Sequence, residues 1–476
     1  MFRKALLITL TLFFVAGIAF AQDTWSLQEC VNYARQNSLS VKQAQATVQS
    51  NELNLKQRQF NRLPTVNASA NYGYNFGFSV NPLTNTLTNI SSGFNNLGLS
   101  ASVPVFAGNQ INNGIKQDKA FLQAAQYDVA DVENNLALDI ATAYLNILLG
   151  EEQLANAEKQ LELSQAQLNQ IDRLINAGSR PENERYDILA QIARNRQTII
   201  DAENTIAINY LNLKQLMNLD PNTDIQIASP DVPIPTSSDP DDFALNEVFI
   251  SALGTQPIIQ ANDFRMQAAE TGVDIAKGAY YPTLSLFGNL DSRFSTEGRQ
   301  PTGIVNTVRV TDNVFINGEP AILGQDVDVP VLEKAPYFDQ LNNNFGQNFG
   351  VSLRVPIFNN LQSRIGVQRA RLTVITTEVQ NQQARQLLKT NIQQAIASAK
   401  AAKRSYEAAQ QAVEASQIAF DNAQRRFELG AINTFDFTTA RNNLDQAQIG
   451  LIQAKYQYIF NVKVVEFYQG KTITLD

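Results

Sequence analysis

The chain has 476 residues, a formal net charge of −8, no histidine and one cysteine, Cys30. The lack of histidine excludes Ser-His-Asp catalysis and imidazole metal sites, and one cysteine cannot form an internal disulfide or a thiolate cluster. The acidic balance argues against a nucleic-acid partner, and no phosphate-binding glycine loop follows a predicted strand. We therefore predict no enzymatic activity and no cofactor.

The first 21 residues have the pattern of an export signal. Arg3 and Lys4 precede an apolar run over 5–20, which ends at the small-residue cleavage site Ala19-Phe20-Ala21. We expect a signal peptide over 1–21, with an N-terminal membrane anchor as the alternative. No later run reaches 18 consecutive apolar residues, so no transmembrane helix is predicted.

Two entry helices and a β-hairpin are predicted next. The helical pattern ends at Pro64, and from Val66 to Val80 apolar residues alternate with Asn, Ser and Gly. A polar loop over 81–96 leads to a second alternating run over 97–105. This hairpin, over 64–106, is typical of a membrane barrel, whose strands have one apolar and one polar face.

A long helix is predicted over 109–177, roughly 69 residues or about 100 Å in length. Large apolar residues recur along it every seven positions, at Ile140, Ile147, Leu154, Leu161, Leu168 and Ile175. This spacing predicts a coiled-coil seam with left-handed supercoiling. Gly178 suits a left-handed helix end, Ser179 to Glu182 has the spacing of a capping box, and a return helix covers 182–218.

The same order of elements repeats at an offset of 252 residues. Val103-Pro104-Val105-Phe106 returns as Val355-Pro356-Ile357-Phe358, and Gly178 returns as Gly430, so each proline lies 74 residues before its glycine. The predicted domains are a first repeat over 22–218, a proline-rich equatorial crossing over 219–243 and a second repeat over 244–476.

The second repeat contains an insertion. Its predicted elements are entry helices over 243–278, a β-hairpin over 282–358, a long helix over 360–429, a return helix over 434–468 and a short final strand over 471–475. Between the matched prolines it has 34 extra residues, which we assign to a long loop over 292–344. Because the helices keep their lengths, the loop is predicted at a surface tip.

Prolines and aromatic residues recur where strands are predicted to meet helices. The predicted junctions are Pro64, Pro104, Pro282 and Pro356, and the aromatic residues beside them are Phe60, Phe106, Tyr280, Tyr281 and Phe358. This recurrence favours an aromatic girdle at a membrane interface over ordinary apolar packing at strand ends.

These features resemble the TolC-like outer-membrane efflux family (outer-membrane factors) over nearly the whole mature length. The matching residues are Leu27-Gln28-Glu29-Cys30, Ala34, Asn37, Pro64, Ala141-Thr142-Ala143-Tyr144-Leu145-Asn146, Phe427-Glu428-Leu429-Gly430 and Asp436. The resemblance implies an α+β membrane protein, a homotrimer in which each chain gives four strands to a twelve-stranded transmembrane β-barrel. That barrel would be continuous with a periplasmic α-helical coiled-coil barrel. Independently, four strands cannot close a barrel alone, which predicts an oligomer.

The resemblance also implies a function and partners. The protein would be a passive exit duct in the outer membrane of a Gram-negative bacterium, in contact with outer-membrane lipid. Its partners would be a periplasmic adaptor protein and an inner-membrane pump of the RND or ABC type. Two other classes remain as alternatives: a periplasmic adaptor, which would carry lipoyl-like domains around a single helical hairpin, and a structural coiled-coil surface protein, which needs no barrel strands.

The free helix ends around Gly178 and Gly430 are the predicted periplasmic mouth. Glu184 and Asp436 each lie six residues after these glycines, so a trimer would place six carboxylates there. The alternative is stabilisation of the helix N-termini. The resemblance implies an acidic entrance constriction at Asp436. The candidate residues for adaptor docking are Leu174, Gly178, Ser179, Phe427, Gly430 and Ala431.

Overall fold

The structure, a computed structural model, describes residues 24–80, 87–230, 234 and 239–473. The predicted signal peptide over 1–21 lies outside these residues. Among the helices in the described ranges, none is long and apolar enough to cross a membrane.

The helices of the first half lie where the sequence predicts them. They are α1 (Leu27–Asn37), α2 (Leu39–Phe60), α3 (Gln110–Asn176) and α4 (Asn183–Met217). A capping box starts α1, because Ser26 N donates to Glu29 Oε2 at 2.8 Å and Glu29 N donates to Ser26 Oγ at 3.3 Å. At the other end of this half, Asn218 closes α4 in the left-handed conformation, with φ 56°.

The second half repeats the helix lengths of the first. Its helices are α5 (Leu245–Thr255), α6 (Pro257–Gly278), α7 (Tyr337–Asn343), α8 (Gln362–Glu428) and α9 (Thr434–Tyr468), preceded by a 3-10 turn at Pro240–Asp242. The long helices α3 and α8 have 67 residues each, and the return helices α4 and α9 have 35 each. Each long helix is therefore about 100 Å long.

The heptad residues lie on the packed side of the long helices. Ile140 and Ile147 on α3 and Ile392 on α8 are fully buried, and Leu161 is half-buried nearer the end of α3. Small seam residues let neighbouring helices approach: a Cβ added at Gly150 would lie 2.8 Å from Cγ1 of Ile206 on α4. The large and small positions in the sequence thus define where α3 and α4 touch.

Four strands form one antiparallel sheet. The described chain contains six strands in all: β1 (Thr65–Val80), β2 (Leu87–Ala107), β3 (Thr283–Ser295), β4 (Arg299–Ile316), β5 (Glu319–Lys334) and β6 (Gly346–Arg354). The four-stranded sheet has the order β1-β2-β3-β6, and β4 and β5 form a separate two-stranded ribbon. Each half of the chain therefore contributes two neighbouring strands, and β1 and β6 are the sheet edges.

One face of this sheet carries no charged residue. The register aligns Ala68 with Leu99 and Leu99 with Leu290, so these apolar side chains share a face. The charged residues of the four strands are Asp291, Arg293 and Arg354. All of them fall on the opposite face, because side chains alternate along a strand. The sheet thus has the apolar and polar faces predicted from β1.

The prolines of the matched strings differ in structure. Pro104 lies within β2, opposite Ser285, where the register shifts before Phe106, so the predicted strand–helix junction at Pro104 is wrong. The bulge leaves Val105, the residue after Pro104, without a partner in β3. Pro356 lies beyond the end of β6, and Pro64 and Pro282 lie directly before β1 and β3.

The predicted loop over 81–96 is wrong for residues 87–96, which belong to β2. Pairing of β1 with β2 continues to Val80 and Leu87, so the polar residues there are strand positions, and 81–86 lie outside the described residues. The final strand predicted over 471–475 is absent from residues 471–473, the part described. Lys471 N instead donates to Glu466 O at 3.1 Å and closes the end of α9.

The insertion predicted as a loop over 292–344 is mostly regular structure. It contains the end of β3, the β4–β5 ribbon and α7. Asn317 and Gly318 connect the two ribbon strands with φ values of 51° and 86°, as in a type I′ hairpin turn. An Asn-Gly pair between two alternating runs is a sequence signal for a hairpin, but the prediction assigned this segment to a loop.

The chain forms two compact units that cut across the two repeats. Within the described residues, the helical unit combines 24–53, 119–230, 234, 239–269 and 373–473, and the sheet unit combines 54–80, 87–118 and 270–372. The largest buried cluster of the helical unit surrounds Ile140, Tyr144 and Ile147 of α3. Each unit needs segments from both repeats, so neither repeat is a compact body by itself.

Candidate functional site at the helix tips

Helix α3 ends in a double hydrogen-bonded turn. Gly178 N donates to Ile175 O and Ser179 N donates to Leu174 O, each at 2.9 Å. Gly178 has φ 71°, so the turn is a Schellman motif with glycine in the left-handed position. We call this turn the first tip. Gly178 and Ser179 are exposed, and Leu174 is half-buried.

Helix α8 ends in the same way. Gly430 N donates to Phe427 O at 3.0 Å and Ala431 N donates to Arg426 O at 2.7 Å, with φ 73° at Gly430. Gly430 and Ala431 are exposed. This turn, the second tip, repeats the backbone geometry of the first tip. The two halves of the repeat therefore end their long helices with the same kind of turn after the same number of residues.

Alanine at either tip glycine is expected to destabilise the helical unit by about 1–2 kcal/mol, because an L side chain disfavours the left-handed region. A Cβ at Gly178 or Gly430 would meet nothing within 4 Å, so the cost comes from the backbone conformation alone. Gly450→Ala is the matched control: it lies within α9, also in open space, and should stabilise by up to about 1 kcal/mol. Thermal unfolding of the detergent-solubilised protein measures all three. Equal shifts in the same direction would contradict the assignment.

An aromatic cluster packs between the two tips. The rings of Phe427 and Phe437 stack with centroids 4.7 Å apart, and Ile171, Ile188 and Ile192 surround them. Phe427 is only 4% exposed. Its predicted role in adaptor docking is therefore not supported by its position, because a buried ring cannot contact a partner.

Arg180 links the first tip to the second. Its Nη2 donates to Phe427 O at 3.0 Å, and its guanidinium carbon lies 4.7 Å from the centroid of the Phe427 ring. Its Nη1 lies 3.4 Å from Glu184 Oε1, and Glu184 Oε2 accepts a hydrogen bond from Thr434 Oγ1 at 2.6 Å. We call Arg180, Glu184, Phe427 and Thr434 the tip clamp, because they join both turns within one chain.

Glu184 and Asp436 occupy different environments, although their sequence positions match. Glu184 is buried in the tip clamp, whereas Asp436 is exposed in the first turn of α9. Arg180 forms an ion pair with Glu184. The residue that matches Arg180 in the second repeat is Ile432, which cannot form an ion pair with Asp436. The expectation that both acids point into a mouth does not fit Glu184 in this chain.

The two return helices also start differently. Glu182 precedes α4 without a side-chain hydrogen bond, so the capping box predicted over Ser179 to Glu182 does not form. At the start of α9, Asn433 Oδ1 accepts a hydrogen bond from Asp436 N at 2.8 Å. Asp436 therefore takes part in the cap through its backbone N–H, and its carboxylate is not part of this cap.

A buried polar cluster beneath the tips was not predicted. Arg441 on α9 is 4% exposed, and its Nη2 donates to Gln160 O at 2.8 Å and its Nη1 to Gln167 Oε1 at 3.0 Å. Its Nε lies 4.0 Å from Asp445 Oδ2. Burial raises the pKa of Asp445 to about 6, and the charge of Arg441 opposes this increase.

The same cluster reaches α4. Asn195 Nδ2 donates to Ser164 Oγ at 2.8 Å and to Gln160 O at 3.0 Å, and Gln191 Nε2 donates to Asn195 Oδ1 at 2.9 Å. We call these residues, with Arg441 and Asp445, the polar layer. Because it joins α3, α4 and α9, it fixes the relative register of the helices that carry the tips.

Ligands for a metal ion are not grouped at this site or elsewhere in the described chain. Asp436, Gly178, Ser179, Gly430 and Ala431 are the predicted site residues that lie exposed. Two large apolar side chains beside the second tip, Leu429 and Phe435, are also strongly exposed, at 84% and 74%. The arrangement can present a surface to a partner or to passing solutes.

A family model described as outer membrane efflux protein matches residues 30–219 and 249–463. Among curated proteins, the chain is 23% identical over 217 residues to outer membrane protein TolC of Escherichia coli (strain K12). That alignment covers 44% of each protein, so it spans less than half of the relative.

Solved structures match over nearly the full length. A crystal structure of CusC aligns with a TM-score of 0.74 and 16% identity, covering 95% of both chains. The outer membrane channel CmeC of Campylobacter jejuni aligns with a TM-score of 0.69 and 17% identity, covering 96% of this chain and 91% of that one. At these identities the matches show a shared fold.

Proposed function

Because the chain belongs to the outer membrane efflux protein family, we propose that it is the exit duct of a tripartite efflux or type I secretion system. The family match confirms the resemblance predicted from the sequence. The protein is located in the outer membrane of a Gram-negative bacterium, with a large periplasmic portion. Proteins of this family are channels rather than enzymes, so the proposal contains no catalytic step.

Three copies would close a twelve-stranded transmembrane barrel continuous with a helical barrel. The observation that carries this proposal is the four-stranded sheet with two open edges and one uncharged face. In the order β1-β2-β3-β6, β6 of one copy beside β1 of the next continues the antiparallel alternation. The uncharged face would contact lipid, and the face with Asp291, Arg293 and Arg354 would line a water-filled lumen.

The duct would conduct passively, with the energy supplied by an inner-membrane pump of the RND or ABC type through a periplasmic adaptor. The proposed mouth is formed by the two tips. Asp436 would supply one exposed carboxylate per chain there, and the tip clamp would hold the two turns of each chain together. Opening of the mouth would then require the clamped turns to move as one body.

Single-channel recording tests the duct and its mouth together. Purified protein in a planar bilayer should conduct, with a preference for cations that Asp436→Asn reduces, because exposed carboxylates raise the local cation concentration. Glu184→Gln is the matched control: its carboxylate is buried, so this variant should keep the cation preference. The absence of conductance would reject the duct, and equal selectivity changes in both variants would reject the separate roles of the two acids.

Docking of the adaptor at the tips predicts position-specific crosslinks. Ala431→Cys is exposed beside Leu429 and Phe435 and should form adducts with the adaptor, whereas Leu174→Cys, which is half-buried, should form fewer. Gln197→Cys, an exposed position of α4 away from the tips, is the control and should form none. Mass spectrometry of crosslinked membranes identifies the products. A lack of adducts at Ala431 would count against docking at the second tip.

A further inference from the structure

The short helix α7 packs on the uncharged face of the four-stranded sheet. Ser292 Oγ donates to Leu341 O at 2.6 Å, and Asn95 Nδ2 donates to Tyr337 OH at 2.7 Å. The rings of Phe294 and Tyr337 lie 4.7 Å apart. Asn95 pairs with Phe294 in the sheet, in the same face as the apolar row of Leu99 and Leu290. The helix therefore covers the side that carries no charge.

Several polar contacts hold α7 in this position. Gln340 Oε1 accepts a hydrogen bond from Ser295 N at 3.0 Å, and Gln340 Nε2 donates to Ala335 O at 2.9 Å. Asn344 Nδ2 donates to Arg293 O at 2.8 Å, just after the end of the helix. These bonds satisfy backbone groups of β3 and of the segment before α7, so the helix is an anchored element of the sheet unit.

The outer side of α7 and the space beneath it are apolar. Phe338 is 78% exposed and Phe345 is 51% exposed. A groove of about 710 Å³ lies beside the helix on the sheet. Most of its lining is apolar, including Leu97, Leu99, Leu290, Leu341 and Phe345, and the remainder includes Ser69, Ser292, Asn342 and Asp291. An anchored helix that leaves two phenylalanine rings and an apolar groove uncovered is suited to an apolar surrounding medium.

The helix lies about one membrane thickness from the predicted aromatic girdle. Along β2, Phe106 is on the girdle side and Asn95 contacts α7. The eleven residue steps between them correspond to roughly 36 Å of strand and, at the usual tilt of barrel strands, to about 28 Å along the membrane normal. This is close to the height of the apolar band of outer-membrane barrels, about 25 Å.

We propose that α7 lies at the outer lipid–water interface, with Phe338 and Phe345 in the outer leaflet and an acyl chain of that leaflet in the groove. The proposal rests on the transmembrane sheet of the proposed function. Tyr337 and Phe294, whose rings are in contact, would form a second aromatic belt at the membrane interface opposite the girdle. Interfacial aromatic residues form such belts in membrane proteins. Lipid is the occupant because the groove is continuous with the uncharged sheet face, which meets acyl chains in the barrel.

Tryptophan fluorescence of the full-length protein in phosphatidylcholine vesicles tests this position. The chain has one tryptophan, Trp25, which provides the baseline that is subtracted from each variant. Phe338→Trp on α7 should lose most of its added emission in vesicles whose lipids are brominated near the headgroup end of the acyl chain. It should be affected little by acrylamide in the water. The exposed side chain makes the substitution tolerable for folding.

Two further variants separate the outcomes. Phe349→Trp lies on the uncharged face of β6 and is 88% exposed, so brominated lipid should quench it if the sheet crosses the membrane. Phe315→Trp on the β4–β5 ribbon should be quenched by acrylamide and not by lipid. If Phe349→Trp is not quenched by lipid, the proposed barrel fails. If lipid quenches Phe349→Trp but not Phe338→Trp, the result supports the barrel and rejects the proposed position of α7. That holds whether α7 is covered by water or by another protein.

Discussion

Arg441→Ala is expected to lower the free energy of unfolding of the helical unit by about 3–5 kcal/mol, the usual cost of removing one partner from a buried charged cluster. The guanidinium of Arg441 donates hydrogen bonds to Gln160 and Gln167 and places a positive charge near Asp445. Its removal takes the donor from Gln167 Oε1 and the positive charge from beside Asp445, while Gln160 O keeps its hydrogen bond from Asn195. The readout is the melting temperature of the detergent-solubilised protein.

A more exposed arginine provides the matched control. Arg185 Nε lies 2.6 Å from Asp172 Oδ1, but these side chains are 31% and 36% exposed. Arg185→Ala should therefore cost about 0–1 kcal/mol, because solvent already screens the pair. Arg441→Lys should recover only part of the stability, since an ammonium group cannot reproduce the planar set of donors. Equal losses for Arg441→Ala and Arg185→Ala would show that the polar layer does not stabilise the helices.

The long helices were predictable because their ends are marked by residues with strong backbone preferences. Gly178 and Gly430 end the long helices in the left-handed conformation, and the heptad residues lie on the packed side. The strands of the two hairpins were predicted from the alternation of apolar and polar residues after Pro64 and Pro282. These signals are local, so a single sequence contains them, and the equal 74-residue spacing sets equal helix lengths in both halves.

The parts that were missed depend on contacts between distant segments. Arg441 lies 281 residues from Gln160, and nothing near it in the sequence distinguishes it from a residue on a solvated helix face. The buried position of Glu184 likewise involves Thr434, 250 residues later, in addition to the nearby Arg180. The β4–β5 ribbon is a different case, because the Asn317-Gly318 turn signal was present and was assigned to a loop.

The matched strings at Pro104 and Pro356 show the limit of inference from a repeat. Both strings share the same residue types, but one lies within β2 at a bulge and the other follows the end of β6. Strand β2 continues to Ala107 through its pairing with β3, whereas its pairing with β1 ends at Ser102. Strand β6 is a sheet edge that pairs only with β3 among the described strands. Neighbouring strands, rather than local sequence, therefore set where each strand ends.

Asp445 is expected to make the stability of the helical unit depend on pH. Burial raises its pKa to about 6 from the ordinary value of 3.8, so the folded state binds a proton more tightly than the unfolded state. Stability from this group is therefore greatest below about pH 4 and falls as pH rises to about 6, by about 3 kcal/mol in total at roughly 1.4 kcal/mol per unit. Asp445 borders two cavities of about 350 and 270 Å³, and the other charged side chains that line them are Arg441 on α9, Lys159 on α3, Glu428 on α8 and Arg194 on α4.

Asp445→Asn removes this titration while keeping the shape of the side chain. We expect the variant to be more stable than the parent by up to about 3 kcal/mol near pH 7 and to differ little near pH 4. Asn442→Ala changes a non-titrating neighbour on α9 that lines one of the same cavities, so any effect it has should be equal at both pH values. Melting temperatures at the two pH values measure the difference. If Asp445→Asn destabilises near pH 7, the ionised carboxylate is a net stabilising partner of Arg441, and burial does not dominate its titration.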